Sequence, residues 1–274
     1  MGDSRQETND EVFLRDALKI VEEAERRDIT LRLLGALAVR IHSSQYDYLY
    51  KKLKRLGEEE CFFTDIDFIA YSKERAKVRK LMEDVFDFKY SRHFLLMHGK
   101  ERLLYYHPKG LYHIDVFFDK LQFSHTVHFG SNPKNGRLAL DFPTISLADL
   151  LLEKLQIHEI NEKDIKDVLV LLRAHKIGQL DQKEVINVKY VAEILADDWG
   201  FWYDATENLR KIRSLADKYR AKGFLTLEDS ADIRDKVDRI IALIDAEPKT
   251  RKWEKRRKKG TSKKWWRPVE TLTR

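Results

Sequence analysis

The chain has 274 residues, 43% of them apolar, which is enough for the core of one large domain or two small ones. It has no apolar run of about 18 residues, and its first residues are polar and acidic, so the sequence predicts neither a membrane-spanning helix nor a secretory signal. The single cysteine, Cys61, has no partner for an internal disulfide. We therefore expect a cytoplasmic protein without a membrane partner.

The formal net charge of +6 is concentrated in residues 249–274, which carry 12 Lys and Arg against 2 acidic residues, whereas the preceding residues carry 40 against 44. Trp253, Trp265 and Trp266 are interleaved with these cations. Cations bind phosphate backbones and aromatic rings stack on bases, so we expect residues 248–274 to form a flexible tail that contacts RNA. A merely solubilising segment and an acidic protein partner are the alternatives.

The N-terminal half alternates predicted helices and strands. Apolar periodicity predicts a helix over 9–27, a buried strand over 29–34 that ends at Gly35, a helix over 36–43, a helix and loop within 45–60, a strand over 62–70 and a helix over 73–86. Strand-like runs follow over 91–97, 102–107 and 111–118, and a hairpin is predicted between 123 and 141, around Asn132-Pro133-Lys134-Asn135-Gly136.

The pattern becomes helical after Pro143. Helices are predicted over 147–159, where Ser146 is the N-cap, and over 162–174, 183–196, 204–221 and 229–246. We therefore expect an α/β domain over 1–143, a helical domain over 144–247 and the basic tail over 248–274.

Two aspartates on one predicted strand are the first candidate site. Asp65 and Asp67 in Phe63-Thr64-Asp65-Ile66-Asp67-Phe68 are two residues apart and therefore share a face of the strand. Neighbouring like charges repel, and a divalent cation such as Mg²⁺, which binds carboxylates and phosphates together, would relieve the repulsion. The alternative is a strand end whose aspartates face water.

Asp115 is a lone acid in the apolar strand His113-Ile114-Asp115-Val116-Phe117-Phe118. If this strand neighbours the Asp65–Asp67 strand, three carboxylates meet at one edge of the sheet, which suits a two-metal site. A strand-end residue near a turn is the alternative for Asp115.

Gly35 stands where a strand ends and a helix of small residues begins, in Leu34-Gly35-Ala36-Leu37-Ala38-Val39. Such a junction offers backbone N–H groups to an anion, and a glycine lets a phosphate approach the backbone closely. Ordinary turn chemistry is the alternative.

These three elements, in this order, resemble the nucleotidyltransferase superfamily typified by DNA polymerase beta. Its pattern is a glycine-rich strand–helix turn, Asp-x-Asp on the next strand and a third Asp on a later strand. The resemblance implies an α+β fold of the nucleotidyltransferase type, with a mixed sheet flanked by helices and a helical C-terminal domain. It implies that Asp65, Asp67 and Asp115 bind Mg²⁺ or Mn²⁺, and that Gly35 and Ala36 lie against a nucleoside triphosphate.

The resemblance continues through Leu150-Leu151-Leu152-Glu153-Lys154-Leu155 and Lys163-Asp164-Ile165-Lys166-Asp167-Val168, which are similar to two motifs of the AbiEii-type toxin branch. It implies that Lys154 meets the nucleotide phosphates and that Asp164 helps to activate or position the acceptor. A solvated, charged helix face is the alternative for both residues.

The chain departs from the family pattern at two places. Ala36 stands where the family has a second glycine or a serine, and Phe62 and Phe63 stand where an arginine often precedes the Asp-x-Asp strand. These departures bear on nucleotide affinity more than on metal binding.

We therefore expect a metal-dependent nucleotidyltransferase that transfers a nucleoside monophosphate to an acceptor hydroxyl, with Asp115 helping to deprotonate that hydroxyl. The toxin-branch motifs and the basic tail point to RNA, such as a tRNA end, as the acceptor and to an antitoxin protein as a possible partner; a small-molecule acceptor stays open. The alternative is a catalytically inactive protein of the same fold that binds nucleic acid or another partner.

Overall fold

The computed structural model describes residues 9–55, 63–99 and 101–269, which form two units. Unit 1 comprises the described residues of Met1–Ala38, Leu56–Lys120 and His128–Ile145, and unit 2 comprises those of Val39–Arg55, Leu121–Val127 and Ser146–Arg274. Cys61, Phe62 and the last residues of the predicted tail, 270–274, lie outside the described residues.

Helices and strands both contribute, so the predicted mixed α+β class is confirmed. The helices are α1 (Asn9–Arg26), α2 (Gly35–His42), α3 (Asp47–Leu53), α4 (Arg75–Lys80), α5 (Arg92–His98), α6 (Leu147–Leu155), α7 (Glu162–Ala174), α8 (Val188–Asp197), α9 (Trp199–Ala221), α10 (Leu227–Ala246) and α11 (Arg251–Arg257). The strands are β1 (Leu31–Leu33), β2 (Asp65–Ala70), β3 (Lys89–Tyr90), β4 (Arg102–Tyr106), β5 (His113–Phe118), β6 (Lys120–Gln122), β7 (Thr126–His128), β8 (Lys176–Gly178) and β9 (Val185–Asn187).

Unit 1 is built on a five-stranded mixed sheet with the strand order β1-β2-β5-β4-β3. β2 and β5 run parallel, and the other three neighbouring pairs are antiparallel. Ile66, Phe68, Ile114 and Val116 on the two central strands are fully buried, and α1 packs against β1 and β2. Burial of this face fixes the register, because a slip of one residue would turn the apolar side chains to the other face.

Unit 2 is mainly helical. α6 packs against α7, α8 and α9, and α10 packs against the same three helices. The two short sheets, β6-β7 and the parallel pair β8-β9, account for its strands, although Lys120 and His128 at the outer ends of β6 and β7 belong to unit 1. The predicted Ser146 cap is present, since its Oγ accepts a hydrogen bond from the Asp149 N–H at 3.3 Å.

Capping side chains account for two predictions that were wrong. The run 91–97 was predicted as a strand but forms α5, because Ser91 accepts a hydrogen bond from the Phe94 N–H and starts a helix. The helix predicted from residue 183 begins at Val188, because Asn187 is its cap and residues 185–187 pair in a sheet instead.

The hairpin predicted between 123 and 141 is also wrong. The one strand within 123–141 is β7 (Thr126–His128), which ends before the Asn132-Pro133 turn; its sheet partner β6 (Lys120–Gln122) precedes this range. Asn132 Oδ1 accepts a hydrogen bond from the Lys134 N–H at 3.1 Å, so this turn is closed locally by its own side chain.

The last part of unit 2 begins after Ile145. The sequence predicts this boundary two residues earlier, after Pro143. Residues 39–55 and 121–127 also belong to unit 2, which no change in composition indicates. The C-terminal segment, which we define as residues 248–269, differs from the predicted flexible tail. Residues 251–257 are helical, and Trp253 is 4% exposed. In the part of the chain that is described, no helix is long and apolar enough to cross a membrane.

Trp253→Ala tests whether the C-terminal segment is part of the fold. The Trp253 ring packs edge-to-face on Trp202 at 5.1 Å between centroids, so its removal leaves a cavity. We expect the free energy of unfolding to fall by about 3–5 kcal/mol, measured by urea denaturation followed by circular dichroism. Arg251→Ala, at an exposed position of the same helix, is the control; equal stability of the two variants would contradict the prediction.

Candidate functional site

The pairing of β2 with β5 gathers four polar side chains on one face of the unit 1 sheet. Asp65 lies opposite His113 and Asp67 lies opposite Asp115 in the parallel register. Residues opposite each other on neighbouring strands, and residues two apart on one strand, point to the same side. The two strands are therefore neighbours, as the sequence interpretation required, and Asp65, Asp67 and Asp115 share a face.

Asp115 is held by an arginine that the sequence interpretation did not include. Arg102 Nε donates a hydrogen bond to Asp115 Oδ1 at 2.6 Å, and its Nη2 forms an ion pair with Oδ2. The Asp115 side chain is 1% exposed, so this two-point pair balances a carboxylate that burial would otherwise disfavour. The guanidinium also lies 4.8 Å from the centroid of Phe117.

His113 completes the set on this face. Its Nε2 is buried, has no hydrogen-bond partner among the described residues, and lies 3.7 Å from Asp65 Oδ2. His113 thus faces Asp65 across the two strands, within ion-pair distance of its carboxylate.

The Gly35 turn lies directly against Asp67. Gly35 has φ +73°, and a Cβ at this position would lie 3.0 Å from Asp67 Oδ2, so a larger residue is disfavoured by both conformation and space. The Leu34 N–H donates to the Asp67 carbonyl at 3.1 Å, which fixes the turn on β2. Gly35 and Ala36 open α2, so the start of this helix adjoins the Asp67 carboxylate.

These residues offer oxygen ligands of the kind that Mg²⁺ and Mn²⁺ prefer, and an imidazole nitrogen that suits Mn²⁺. Within the described ranges, however, no group of three or more His, Cys, Asp and Glu side chains is placed so that it could hold a metal ion. Asp65 and Asp67 fit an ion by donor type, whereas Asp115 would have to exchange Arg102 for it.

Lys154 and Asp164 belong to a separate network in unit 2. Lys154 Nζ donates to Asp164 Oδ1 at 2.7 Å and lies 3.0 Å from Asp167 Oδ2. Arg55 Nε and Nη2 donate to the Asp167 carboxylate at 2.6 and 3.0 Å. Asn161, the cap of α7, accepts from the Asp164 N–H at 2.9 Å, so the cap and the network share that aspartate.

Burial and charge act in opposite directions on this network. Burial alone would lower the pKa of Lys154, but Asp164 and Asp167 outweigh it and raise that pKa above its ordinary value. Burial alone would raise the pKa of Asp167, but Lys154 and Arg55 hold it below its ordinary range. Lys154 is therefore charged and already paired; its contact with nucleotide phosphates, and the role of Asp164 at an acceptor, stay predictions.

A second cluster in unit 2 joins two buried histidines through the exposed carboxylate of Glu184. His175 Nε2 lies 3.2 Å from Ser43 Oγ, and its Nδ1 lies 3.2 Å from Glu184 Oε2. His42 Nδ1 lies 3.0 Å from Glu184 Oε1. Ser43 is 0% exposed, so a substrate does not reach it, and we interpret the cluster as structural. Burial lowers the pKa of His175 to about 4, an effect that Glu184 offsets only in part.

The C-terminal segment docks onto Asp204 of α9. Trp265 Nε1 donates to Asp204 Oδ1 at 3.0 Å, and His125 Nε2 and His158 Nδ1 lie 2.7 and 2.9 Å from the same carboxylate. Burial alone would raise the pKa of Asp204, but these three partners hold it below its ordinary value. Gly200 permits the approach, since a Cβ there would lie 2.9 Å from the Trp265 carbonyl oxygen.

The tryptophans of this segment pack against the protein, and most of its cations are exposed. Trp266 stacks on His158 with ring centroids 4.3 Å apart. The exposed cations of the segment are Arg251, Lys252, Lys255, Arg257, Lys258, Lys259, Lys263, Lys264 and Arg267. An RNA contact here is therefore better explained by charge than by base stacking on these rings.

Sequence reasoning missed His113 and Arg102 for different reasons. His113-x-Asp115 has the spacing of Asp65-x-Asp67, so the signal for His113 was present in the sequence. Arg102 reaches Asp115 only through the register of β4 on β5, which no local pattern encodes. Comparisons with protein-family models, with curated proteins and with solved structures find no match for this chain.

Lys154→Met tests whether the lysine holds unit 2 together. The change leaves Asp167 buried with one cation in place of two, so we expect the free energy of unfolding to fall by about 3 kcal/mol, measured by urea denaturation. Lys163→Met, at an exposed position of α7, removes a lysine without such partners and is expected to change stability by less than about 0.5 kcal/mol. Equal effects of the two changes would show that the network does not stabilise the fold.

The His175 cluster predicts a pH dependence of stability. The pKa of His175 is near 6.5 when unfolded and about 4 when folded, so between these values the unfolded chain binds the extra proton. The contribution of neutral His175 to the free energy of unfolding is therefore complete above pH 6.5. It falls by up to about 3 kcal/mol as the pH decreases toward 4. His175→Gln should make the free energy of unfolding less dependent on pH, as measured by denaturation curves collected from pH 7 to 4. His128→Gln, at an exposed site, should leave it unchanged.

Proposed function

We propose that the protein is a metal-dependent nucleotidyltransferase whose nucleotide site lies on the polar face of the unit 1 sheet. The observation that carries the proposal is the parallel register in which Asp67 lies opposite Asp115, with the Gly35 turn against Asp67. Three features that are far apart in the chain are thereby neighbours in space, which supports a site for transfer of a nucleoside monophosphate from a triphosphate.

Asp65 and Asp67 are the residues proposed to hold the divalent ion, because they lie on one strand face and keep part of their surface exposed. A bound Mg²⁺ or Mn²⁺ would neutralise the charge of a triphosphate and favour departure of pyrophosphate. The backbone at Gly35 and Ala36 is proposed to lie along the phosphates, where the absence of a Cβ at residue 35 leaves room beside Asp67.

The proposed reaction exchanges one phosphorus–oxygen bond for another. The oxygen of an acceptor hydroxyl bonds to the α-phosphorus while the bond from that phosphorus to the bridging oxygen breaks. A nucleoside monophosphate is thereby transferred, pyrophosphate leaves with the electron pair of the broken bond, and the hydroxyl proton passes to a carboxylate or to solvent. Arg102 limits the contribution of Asp115 to this proton transfer, because it neutralises that carboxylate.

RNA is the acceptor that we propose. The exposed cations of residues 251–267 support this choice, since they suit a phosphate backbone. Binding of this kind weakens steeply with salt, which distinguishes it from recognition of a small neutral acceptor. An antitoxin partner is implied only by the resemblance to the toxin branch.

A second candidate function is a catalytically inactive protein of this fold that binds nucleic acid. The ion pair of Arg102 with Asp115 favours it, because it engages the third acid of the proposed site. The same exposed cations of residues 251–267 would then carry the whole function.

The experiment is a measurement of pyrophosphate release with mixed nucleoside triphosphates, total RNA, and Mg²⁺ or Mn²⁺. We expect the wild-type protein to release pyrophosphate and Asp67→Asn to lose at least about 100-fold of that rate. Asp84→Asn, at an exposed position of unit 1, is the matched control and should retain the rate. RNA binding without release under either ion would instead support the second candidate.

A further inference from the structure

A small pocket in unit 1 lies between α1 and the segments that precede β3 and β5. Its volume is about 140 Å³, close to that of a cavity of about 150 Å³ that takes up benzene, so it suits one six-membered ring. The acids of the polar face are not among its lining residues, so the pocket is separate from the proposed nucleotide site. The side chains that define its chemistry are four rings and two charged groups: Phe86, Phe88, His107, Tyr112, Asp16 and Lys19.

Three of these rings pack against one another and form a fixed wall. The ring centroid of His107 lies 4.7 Å from that of Tyr112 and 5.9 Å from that of Phe88, and the centroids of Phe88 and Tyr112 are 6.4 Å apart. Phe88 is 5% exposed and Tyr112 is 6% exposed, so packing holds both rings in place. Aromatic rings favour offset or edge-to-face contact with one another, so this wall favours a planar aromatic ligand.

The Asp16 carboxylate is already engaged on both of its oxygens. The Tyr112 hydroxyl donates a hydrogen bond to Asp16 Oδ2 at 2.8 Å, and Arg15 Nε donates to Oδ1 at 3.2 Å. Burial, together with the hydrogen bond to Asp16, raises the pKa of Tyr112, so the hydroxyl keeps its proton and the hydrogen bond persists. The pocket is therefore a poor site for a cationic ligand.

Lys19 and His107, in contrast, offer donors to a ligand. Lys19 is exposed, and its Nζ lies 6.0 Å from the centroid of the Phe86 ring without an ion pair to any residue that the structure describes. His107 Nδ1 accepts a hydrogen bond from the Lys109 N–H at 3.2 Å, so the neutral ring carries its proton on Nε2. Burial lowers the pKa of His107, which keeps the ring neutral at pH 7. An ammonium and an N–H donor together suit an anionic acceptor.

We propose that this pocket binds a small aromatic carboxylate of the size of benzoate, with its ring against Phe88 and Tyr112 and its carboxylate at Lys19 and His107. The inference goes beyond the proposed function and does not depend on it. The pocket has room for the ring, and the carboxylate then lies at the mouth, where Lys19 is exposed. Burial of the ring provides most of the affinity, because an exposed ion pair contributes little.

The experiment titrates the full-length protein with benzoate at pH 7 and follows binding by saturation-transfer NMR of the ligand. We expect a Kd of about 1 mM or lower. Acetate, which lacks the ring, should bind at least about tenfold more weakly. Benzylamine, which carries the opposite charge beside the same ring, should bind at least about threefold more weakly than benzoate.

Three variants locate the binding site. Lys19→Met and His107→Phe each remove one donor, and each should weaken benzoate binding at least about threefold. Lys19→Met should not weaken the binding of benzylamine, and its exposed position leaves the core intact. Lys80→Met, at an exposed position of unit 1 outside the pocket, removes the same charge and should keep the wild-type affinity for benzoate.

The inference is overturned if benzoate does not bind, if benzylamine binds as tightly as benzoate, or if Lys80→Met weakens benzoate binding as much as Lys19→Met does. Each of these results would leave the proposed function standing, because the pocket shares no residue with the proposed nucleotide site. Loss of pyrophosphate release in Asp67→Asn with unchanged benzoate binding would support the independence of the two sites.

Discussion

The register of β2 on β5 is the constraint on which the rest of unit 1 depends. Because the strands run parallel and in phase, the apolar Ile66 and Ile114 share the buried face while the polar residues share the other. A slip of one residue would bury charges and expose the core, so the hydrophobic effect that selects the register also assembles the polar face. The position of the candidate site is therefore a product of core packing.

Both units balance buried carboxylates with cations from other helices or strands. In unit 1 a single arginine serves Asp115, whereas in unit 2 Asp167 has both Lys154 and Arg55. Such pairs are costly to break and therefore tend to be permanent. Asp65 and Asp67 differ, since they are only partly buried and solvent helps to stabilise their charge. This contrast separates the fully buried, ion-paired carboxylates from two that keep contact with solvent.

The sequence predicted what periodicity and spacing encode. The helix over 162–174 was predicted at its observed bounds, and the shared face of Asp65 and Asp67 followed from strand geometry alone. Sequence periodicity failed where one side chain overrode a regional pattern, as Ser91 does in α5. It also failed where a contact depends on the pairing or packing of two elements, because neither the Arg102–Asp115 pair nor the Trp265–Asp204 contact leaves a local pattern. The omission of Arg102 from the prediction mattered most, since this residue neutralises one of the three predicted metal-binding acids.

The packing of the C-terminal segment has an optical consequence. Unit 2 contains all five tryptophans of the chain, and those at 199, 202, 253 and 265 contact one another through their rings. Tyrosine emission does not distinguish the units, because five of the eleven tyrosines lie in unit 1 and six in unit 2. Intrinsic indole emission, in contrast, reports the integrity of unit 2 alone without any added label.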